Sequence, residues 1–145
     1  MRAAALLAVW AASFTACTVP GETAVAVLPP GVWSDPVELL LPNRDTLGTY
    51  DWRLFLRYDE HLAPDRFTLQ LTVLTPDSLR FSEPVTVQLP SGPAPAALLR
   101  EFGIDYRRRV RLARTGSYRI LLRPQTPLQG IDAVGIQTVK SDTSD

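Results

Sequence analysis

The stretch YDWRLFLRYD, residues 50–59, decides the fold class because its apolar and polar side chains alternate. A period of two is typical of a strand that buries one face and exposes the other. Arg53 and Arg57 point to the exposed side, and Phe55 is the apolar exception on that side. We therefore predict a half-buried strand. The side chains on its buried face are Tyr50, Trp52, Leu54, Leu56 and Tyr58.

A second alternating stretch follows at residues 67–73, FTLQLTV. The connection between the two stretches, residues 59–65, contains Pro64, which breaks regular structure. Two strong strand patterns joined by so short a connection are typical of a β-hairpin. The sequence thus predicts that the two stretches pair with each other.

The rest of the chain also consists of short apolar runs separated by proline. Residues 90–95 are predicted to form an excursion, and residues 96–102 have room for one or two helical turns. Seven or so short strands separated by turns predict an all-β fold, a single antiparallel β-sandwich of about seven to eight strands, Ig-like or jelly-roll-like, over residues 32–140. The further strands are predicted at Val37–Leu41, Val85–Leu89, Ile104–Ala113, Tyr118–Arg123 and Val134–Lys140.

The N-terminal segment has the composition of an export signal. Arg2 precedes ten apolar residues, a run about half as long as a membrane-spanning helix needs, and small residues then lead to Cys17. Cys17 is the only cysteine, so an intramolecular disulfide is impossible. The pattern resembles the lipobox of bacterial lipoproteins, although Phe14 stands where most have Leu; an ordinary signal peptide is the alternative. We predict a signal peptide at 1–16, lipid attachment at Cys17, a tether at 17–31 and a polar tail at 141–145.

The closing stretch, residues 115–139, is the most specific one in the chain. It contains a G-x-Y strand, then a basic residue, then L-x-G-I-x-x-V-G, and it resembles the gliding-motility lipoprotein H family (GldH) of Bacteroidota. Trp33 and the stretch at residues 50–59 also fit that family. The matching residues are Gly116, Tyr118, Arg123, Leu128, Gly130, Ile131, Val134 and Gly135.

This resemblance implies a lipid-anchored lipoprotein of the cell envelope, with the outer membrane favoured over the inner one. It implies a component or accessory of gliding-motility and secretion machinery that acts through protein–protein contacts. It implies no catalytic residues that could be transferred to this chain.

Charge is unevenly distributed along a chain that is formally neutral, with fifteen basic and fifteen acidic residues. Neutrality argues against nucleic acid as the main partner. Residues 100–123 nevertheless carry eight arginines against Glu101 and Asp105. A strand pairing of residues 104–113 with 118–123 would gather several arginines into one docking face, and a solvated face neutralised by other strands is the alternative. The predicted docking residues are Arg107, Arg109, Arg111, Arg119 and Arg123.

Catalysis is not expected, because one histidine, one cysteine and no G-x-S-x-G or H-E-x-x-H motif leave the usual nucleophilic and zinc sites unassembled. The polar run from Tyr58 to His61 is interpreted as a solvated loop tip rather than a cation site. No metal, cofactor or small-molecule ligand is expected. The alternative function is a surface glycan-binding module in which Tyr50, Trp52 and Tyr58 stack on sugar rings, although aromatic residues at period two are more often core.

Two glycines in the closing stretch are expected to have backbone roles. Gly130 is predicted to supply a positive φ or a close approach at a strand entrance. Gly135 is predicted to allow a bulge or close packing against the neighbouring sheet.

Overall fold

The structure, a computed structural model, describes residues 21–92 and 98–142. Within these ranges the chain forms ten β-strands and no helix. No helix in this part of the chain is long and apolar enough to cross a membrane. The strands are β1 (Gly21–Val27), β2 (Val32–Trp33), β3 (Val37–Asn43), β4 (Tyr50–Tyr58), β5 (Arg66–Leu74), β6 (Arg80–Gln88), β7 (Arg100–Val110), β8 (Gly116–Pro124), β9 (Leu128–Gln129) and β10 (Ile131–Lys140).

Two four-stranded antiparallel sheets make up the sandwich. Sheet 1 has the order β1-β10-β4-β7, and sheet 2 has the order β3-β8-β5-β6. Counted over the eight long strands alone, these orders are 1-8-3-6 and 2-7-4-5, which is the strand order of a jelly roll. The all-β sandwich predicted from the sequence is confirmed, and the topology selects the jelly-roll alternative.

The jelly roll is a long antiparallel ribbon wrapped around its own core. Its successive pairs are β1 with β10, β2 with β9, β3 with β8, β4 with β7 and, at the closed end, β5 with β6. The short β2–β9 pair carries the ribbon around the corner from sheet 1 to sheet 2. Wrapping brings β10 beside β4 and β8 beside β5, and these two pairings complete the sheets.

The core lies between the inner faces of the two sheets. Trp52 and Leu54 from sheet 1 are buried against residues such as Leu69 and Ile120 from sheet 2. Burial alternates along β4 as predicted: its even-numbered residues from 52 to 58 are buried, whereas Arg53 and Arg57 are exposed. Burial of alternating apolar side chains from both sheets supplies the main free energy that stabilises the fold.

The predicted hairpin between the first two alternating stretches is wrong. β4 lies in sheet 1 between β10 and β7, whereas β5 lies in sheet 2 between β8 and β6. The connection at residues 59–65 therefore crosses from one sheet to the other. Both strands have one apolar face. That face is buried when the two strands lie in opposite sheets, and it would be buried equally if they were neighbours in one sheet.

The predicted tether is also wrong over part of its length, because Gly21–Val27 form β1 and pair with β10 along seven residues. The side chains of β1 that pack against the core are Ala24 and Ala26, whereas Val25 and Val27 are exposed. The alternation is therefore present, but small residues occupy the inner positions. Arg100–Phe102, predicted as part of a helical turn, begin β7 instead.

Both glycines singled out in the sequence have backbone roles. Gly130 has φ +86°, in the region that favours glycine, and a Cβ there would meet the carboxylate of Asp59 at 2.7 Å. Gly135 faces Phe55 on β4, whose ring occupies the space that a Cβ would fill. The positive φ predicted for Gly130 is confirmed. Gly135 is closely packed, but against β4 and β1 of its own sheet and not against the neighbouring sheet as predicted.

Candidate functional site

A cleft opens between the two sheets at the edge where β6 and β7 face each other. We call it the edge cleft; its volume is about 840 Å³. It exists because β6 ends sheet 2, β7 ends sheet 1, and no strand pair joins these two edges. A volume of this size is within the range of binding sites in proteins.

The interior of the edge cleft is apolar. Trp52, Leu71 and Val73 form part of its wall, and these side chains belong to the inner faces of β4 and β5. Phe81 on β6 also lines the cleft, yet 61% of it remains exposed, and Leu79 beside it is 55% exposed. Large apolar side chains left open beside a cleft are typical of a binding surface.

A polar bridge joins the two sheets across one part of the cleft. Glu83 on β6 accepts hydrogen bonds from the hydroxyl of Tyr106 and, at 2.7 and 2.8 Å, from the guanidinium of Arg107. These donors lower the pKa of Glu83, with Tyr106 as the largest cause. Burial, followed by the hydrogen bond to Glu83, raises the pKa of Tyr106 to about 12. The carboxylate and the neutral phenol are therefore the forms that the bridge favours.

The rim of the cleft carries more positive than negative charge. It has four guanidinium groups against the carboxylates of Asp77 and Glu83. Arg114 pairs with Asp77 at 3.3 Å, and Arg111 donates from Nε to the backbone carbonyl of Thr46 at 2.8 Å. Arg107 pairs with Glu83 at 2.7 Å. Within the described ranges, no carboxylate lies within 4.0 Å of Arg80. The four rim arginines are Arg80, Arg107, Arg111 and Arg114.

The loop between β7 and β8, residues 111–115, lines one end of the cleft and is held by a buried side chain. Asn43 on β3 is 7% exposed, and its Nδ2 donates to the carbonyls of Leu112 and Arg114 at 3.2 and 2.8 Å. The hydroxyl of Tyr118 also bonds the backbone of Arg114 at 3.3 Å. These bonds satisfy loop carbonyls that no strand pairing reaches, so the arginine-bearing loop keeps a fixed position.

The predicted arginine row does not form as expected. The register between β4 and β7 shifts at Trp52, so β7 carries a bulge there. Arg109 has φ +54°, and its N–H donates to Asp51 at 2.8 Å. Three consecutive exposed arginines result, and only Arg107 and Arg111 of the predicted set line the cleft.

Arg119 and Arg123 lie elsewhere, because the predicted pairing of residues 104–113 with 118–123 is wrong. β8 pairs with β3 and β5 in sheet 2, whereas β7 pairs with β4 in sheet 1. Arg119 forms an ion pair with Glu38 at 2.6 Å on the exposed face of sheet 2. Arg123 stands opposite Gln70 in the β8–β5 register. The wrapped topology thus divides the arginine cluster between two sheets.

The aromatic residues proposed for sugar stacking are not available at the surface. Trp52 and Tyr58 are 4% and 7% exposed, and both belong to the core. Tyr50 is half-buried, and its hydroxyl donates to Asp45 at 2.8 Å. The core interpretation of these residues is confirmed, and any sugar site must use other side chains.

The polar run after β4 is a loop tip. His61 Nδ1 lies 3.1 Å from the Asp59 carboxylate, which also accepts from the His61 N–H at 2.8 Å. The hydrogen bond from that N–H is the largest cause that lowers the pKa of Asp59. Across residues 21–92 and 98–142, no three His, Cys, Asp or Glu side chains come together in a group that could hold a metal ion.

Several predicted features lie wholly or partly outside the described residues, among them the signal peptide at 1–16 and the end of the polar tail at 141–145. Cys17, the predicted lipid-attachment site, precedes the first described residue. The excursion at residues 90–95 is described only as far as residue 92.

Sequence reasoning missed the most informative cleft residues, Phe81 and Glu83. Both lie before Val85, the predicted start of this strand, although the alternation Phe81, Glu83, Val85, Val87 extends back to the start of β6. That alternation was the signal available in the sequence. Comparison of the chain with protein families, with curated protein sequences and with solved structures found no match.

Proposed function

We propose that this protein is a lipid-anchored, non-catalytic component of a bacterial cell envelope that binds an acidic, apolar segment of a protein partner in the edge cleft. The observation that carries the proposal is the cleft itself, in which the exposed ring of Phe81 stands beside a rim with a net positive charge. Charge complementarity argues for acidic residues in the partner, and the apolar walls argue for an aromatic or aliphatic anchor.

The cellular setting of the proposal rests on the sequence. The likeness of residues 116–135 to the GldH family supports gliding-motility or secretion machinery as the partner system, and the lipobox-like flank of Cys17 supports the anchor. Stable membrane anchoring needs two or more acyl chains, which an acylated N-terminal cysteine supplies. Metabolic labelling with palmitate should mark the protein, and Cys17→Ala should remove both the label and the membrane association. An unlabelled protein that stays in the membrane fraction would contradict the anchor.

Site-specific photocrosslinking tests the docking site directly. A photoreactive amino acid at position 81 should crosslink a partner in intact cells, whereas the same group at position 40 should not. Leu40 is a matched control because it is 56% exposed but lies on β3, at the opposite edge of sheet 2.

Charge reversal then tests the nature of the partner. Arg111→Glu should weaken crosslinking from position 81, and high salt should weaken it in the unaltered protein, because exposed charges are screened. Arg119→Glu is the control, since Arg119 lies in sheet 2 away from the cleft. Equal crosslinking from positions 81 and 40, or equal effects of the two reversals, would refute docking at the edge cleft.

A further inference from the structure

The outer face of sheet 1 carries a row of two glycines, one valine and one phenylalanine that crosses all four strands. Strand register places Val25, Gly135, Phe55 and Gly103 side by side on β1, β10, β4 and β7. Phe55 therefore has a glycine neighbour on each adjacent strand. We call this row the outer trough. Three interstrand spacings make it about 14 Å long.

Side chains of β4 lie over both glycines of the trough. At Gly135 the Phe55 ring occupies the space of a missing Cβ, and at Gly103 a Cβ would meet Arg53 Nε at 2.7 Å. Neither glycine has a positive φ, so the backbone conformation alone does not demand glycine at these positions. An aromatic ring that covers a glycine on a neighbouring strand explains why glycine stands at position 135. It does not account for Gly103, over which the side chain of the solvent-exposed Arg53 lies.

Polar side chains line both sides of the trough. One neighbouring row places Thr23, Gln137, Arg53 and Asp105 in register, and the other contains Arg57 opposite Glu101. Gln137, Arg53 and Glu101 are exposed, and together with Phe55, Thr23 and Gly103 they enclose a depression of about 340 Å³. Three arginines and three carboxylates stand along or beside the trough, so its net charge is close to zero: Arg53, Arg57 and Arg108 against Glu101, Asp105 and Asp132.

The two ion pairs of Arg57 beside the trough leave their groups open to a ligand. Arg57 lies 3.7 Å from Glu101 and 3.9 Å from Asp132, longer than a hydrogen bond. Exposed pairs of this kind contribute little to stability, so a ligand that replaces them loses little.

We propose that the outer trough binds a neutral oligosaccharide that lies across the strands. A pyranose ring presents a face of polarised C–H groups, which the negative face of an aromatic ring attracts. Its neighbouring hydroxyls match the paired donors and acceptors of guanidinium, carboxylate and carboxamide groups. The near-zero charge of the trough fits a neutral sugar better than a polyanion.

An extended peptide is a poorer fit to the same surface. Peptides that recognise sheets add to an exposed edge, where unpaired backbone groups accept main-chain hydrogen bonds. The central strands of the trough, β10 and β4, are paired on both sides. The surface therefore offers side chains alone, which is what a ligand without a peptide backbone requires.

This site is independent of the edge cleft, because the trough lies on the outer face of sheet 1 and the cleft lies between the sheets. The test uses the full chain in detergent and a panel of soluble hexasaccharides: cello-, malto-, laminari- and chitohexaose. Titration calorimetry should detect binding of at least one of them. Phe55→Leu keeps apolar volume over Gly135 but removes the aromatic face, and it should weaken that binding at least tenfold. Phe55→Tyr retains the ring and should bind as the unaltered chain does.

Gly103→Thr supplies a second, independent variant. It fills the trough and needs only the flexible Arg53 side chain to move, so the fold should survive and binding should fall. Phe81→Ala, in the edge cleft, is the control that should leave sugar binding unchanged. Absence of binding to every hexasaccharide, or equal binding by Phe55→Leu and Phe55→Tyr, would overturn the proposal. A crosslinked protein partner at position 55 without sugar binding would also overturn it, in favour of a protein interface.

Discussion

Replacing Leu54 by Ala should lower the free energy of unfolding by about 3–4 kcal/mol. Leu54 is 1% exposed, and its strand neighbours are Ile136 on β10, itself fully buried, and Ile104 on β7. The change removes three carbon groups from the core, a transfer loss of about 2.4 kcal/mol. Because β4 is held on both sides, it has little freedom to close the remaining space, and the cavity adds to the loss.

Leu40→Ala is the matched control, since it makes the same chemical change at a side chain that is 56% exposed. Less than half of the transfer free energy is lost there and no cavity forms, so the free energy of unfolding should fall by about 1 kcal/mol or less. Urea denaturation followed by tryptophan fluorescence measures both. With an m-value of about 1.5–2 kcal/mol/M, the midpoint should fall by about 2 M for Leu54→Ala and by about half a molar for Leu40→Ala. Equal midpoint shifts for the two variants would refute the assignment of inner and outer faces.

Three further predictions concern the backbone, the bridge and the loop. Gly130→Ala should destabilise more than Gly31→Ala: both residues have positive φ, costing about 1–2 kcal/mol each, but only at position 130 does the added Cβ also meet other atoms. Equal midpoints would contradict the close approach. Tyr106, with its pKa raised to about 12, should ionise later than an exposed tyrosine; its stabilising contribution is complete below the unfolded pKa near 10 and is lost as pH rises towards 12. Ultraviolet titration of the tyrosines in the unaltered chain and in Tyr106→Phe checks this. The prediction is refuted if the tyrosine missing from the variant's titration curve is one that ionises near pH 10. Asn43→Ala should cost about 1–3 kcal/mol, because its two loop carbonyl acceptors lose their donor, and hydrogen exchange should speed up in residues 111–115. Unchanged exchange would show that other contacts fix the loop.

Local patterns in the sequence located seven of the eight long strands, all except β1, and identified the face that β4 buries. Alternation is a local property, because successive side chains of an extended chain point to opposite sides whatever their partner strand is. The burial of Trp52 and Leu54 and the exposure of Arg53 could therefore be predicted. The positive φ of Gly130 was predictable for the same reason, since it depends on local backbone conformation.

Strand partners were decided by tertiary structure alone. The apolar face of a strand can be buried whether a similar strand lies beside it in the same sheet or opposite it across the core. The alternating pattern of β4 and β5 therefore could not distinguish a hairpin from the observed crossing between sheets. β1 was mistaken for a tether because its inner positions are alanines. Their burial depends on β10, which lies more than a hundred residues further along the chain.

Both candidate binding surfaces depend on such distant pairings. The edge cleft exists because wrapping leaves β6 and β7 as facing, unjoined edges, and the bulge in β7 decides which arginines reach it. The outer trough requires Gly135, Phe55 and Gly103 to stand in register on three strands that are far apart in sequence. Local patterns specify the faces of strands, whereas register between distant strands is fixed only when the whole ribbon wraps around one core.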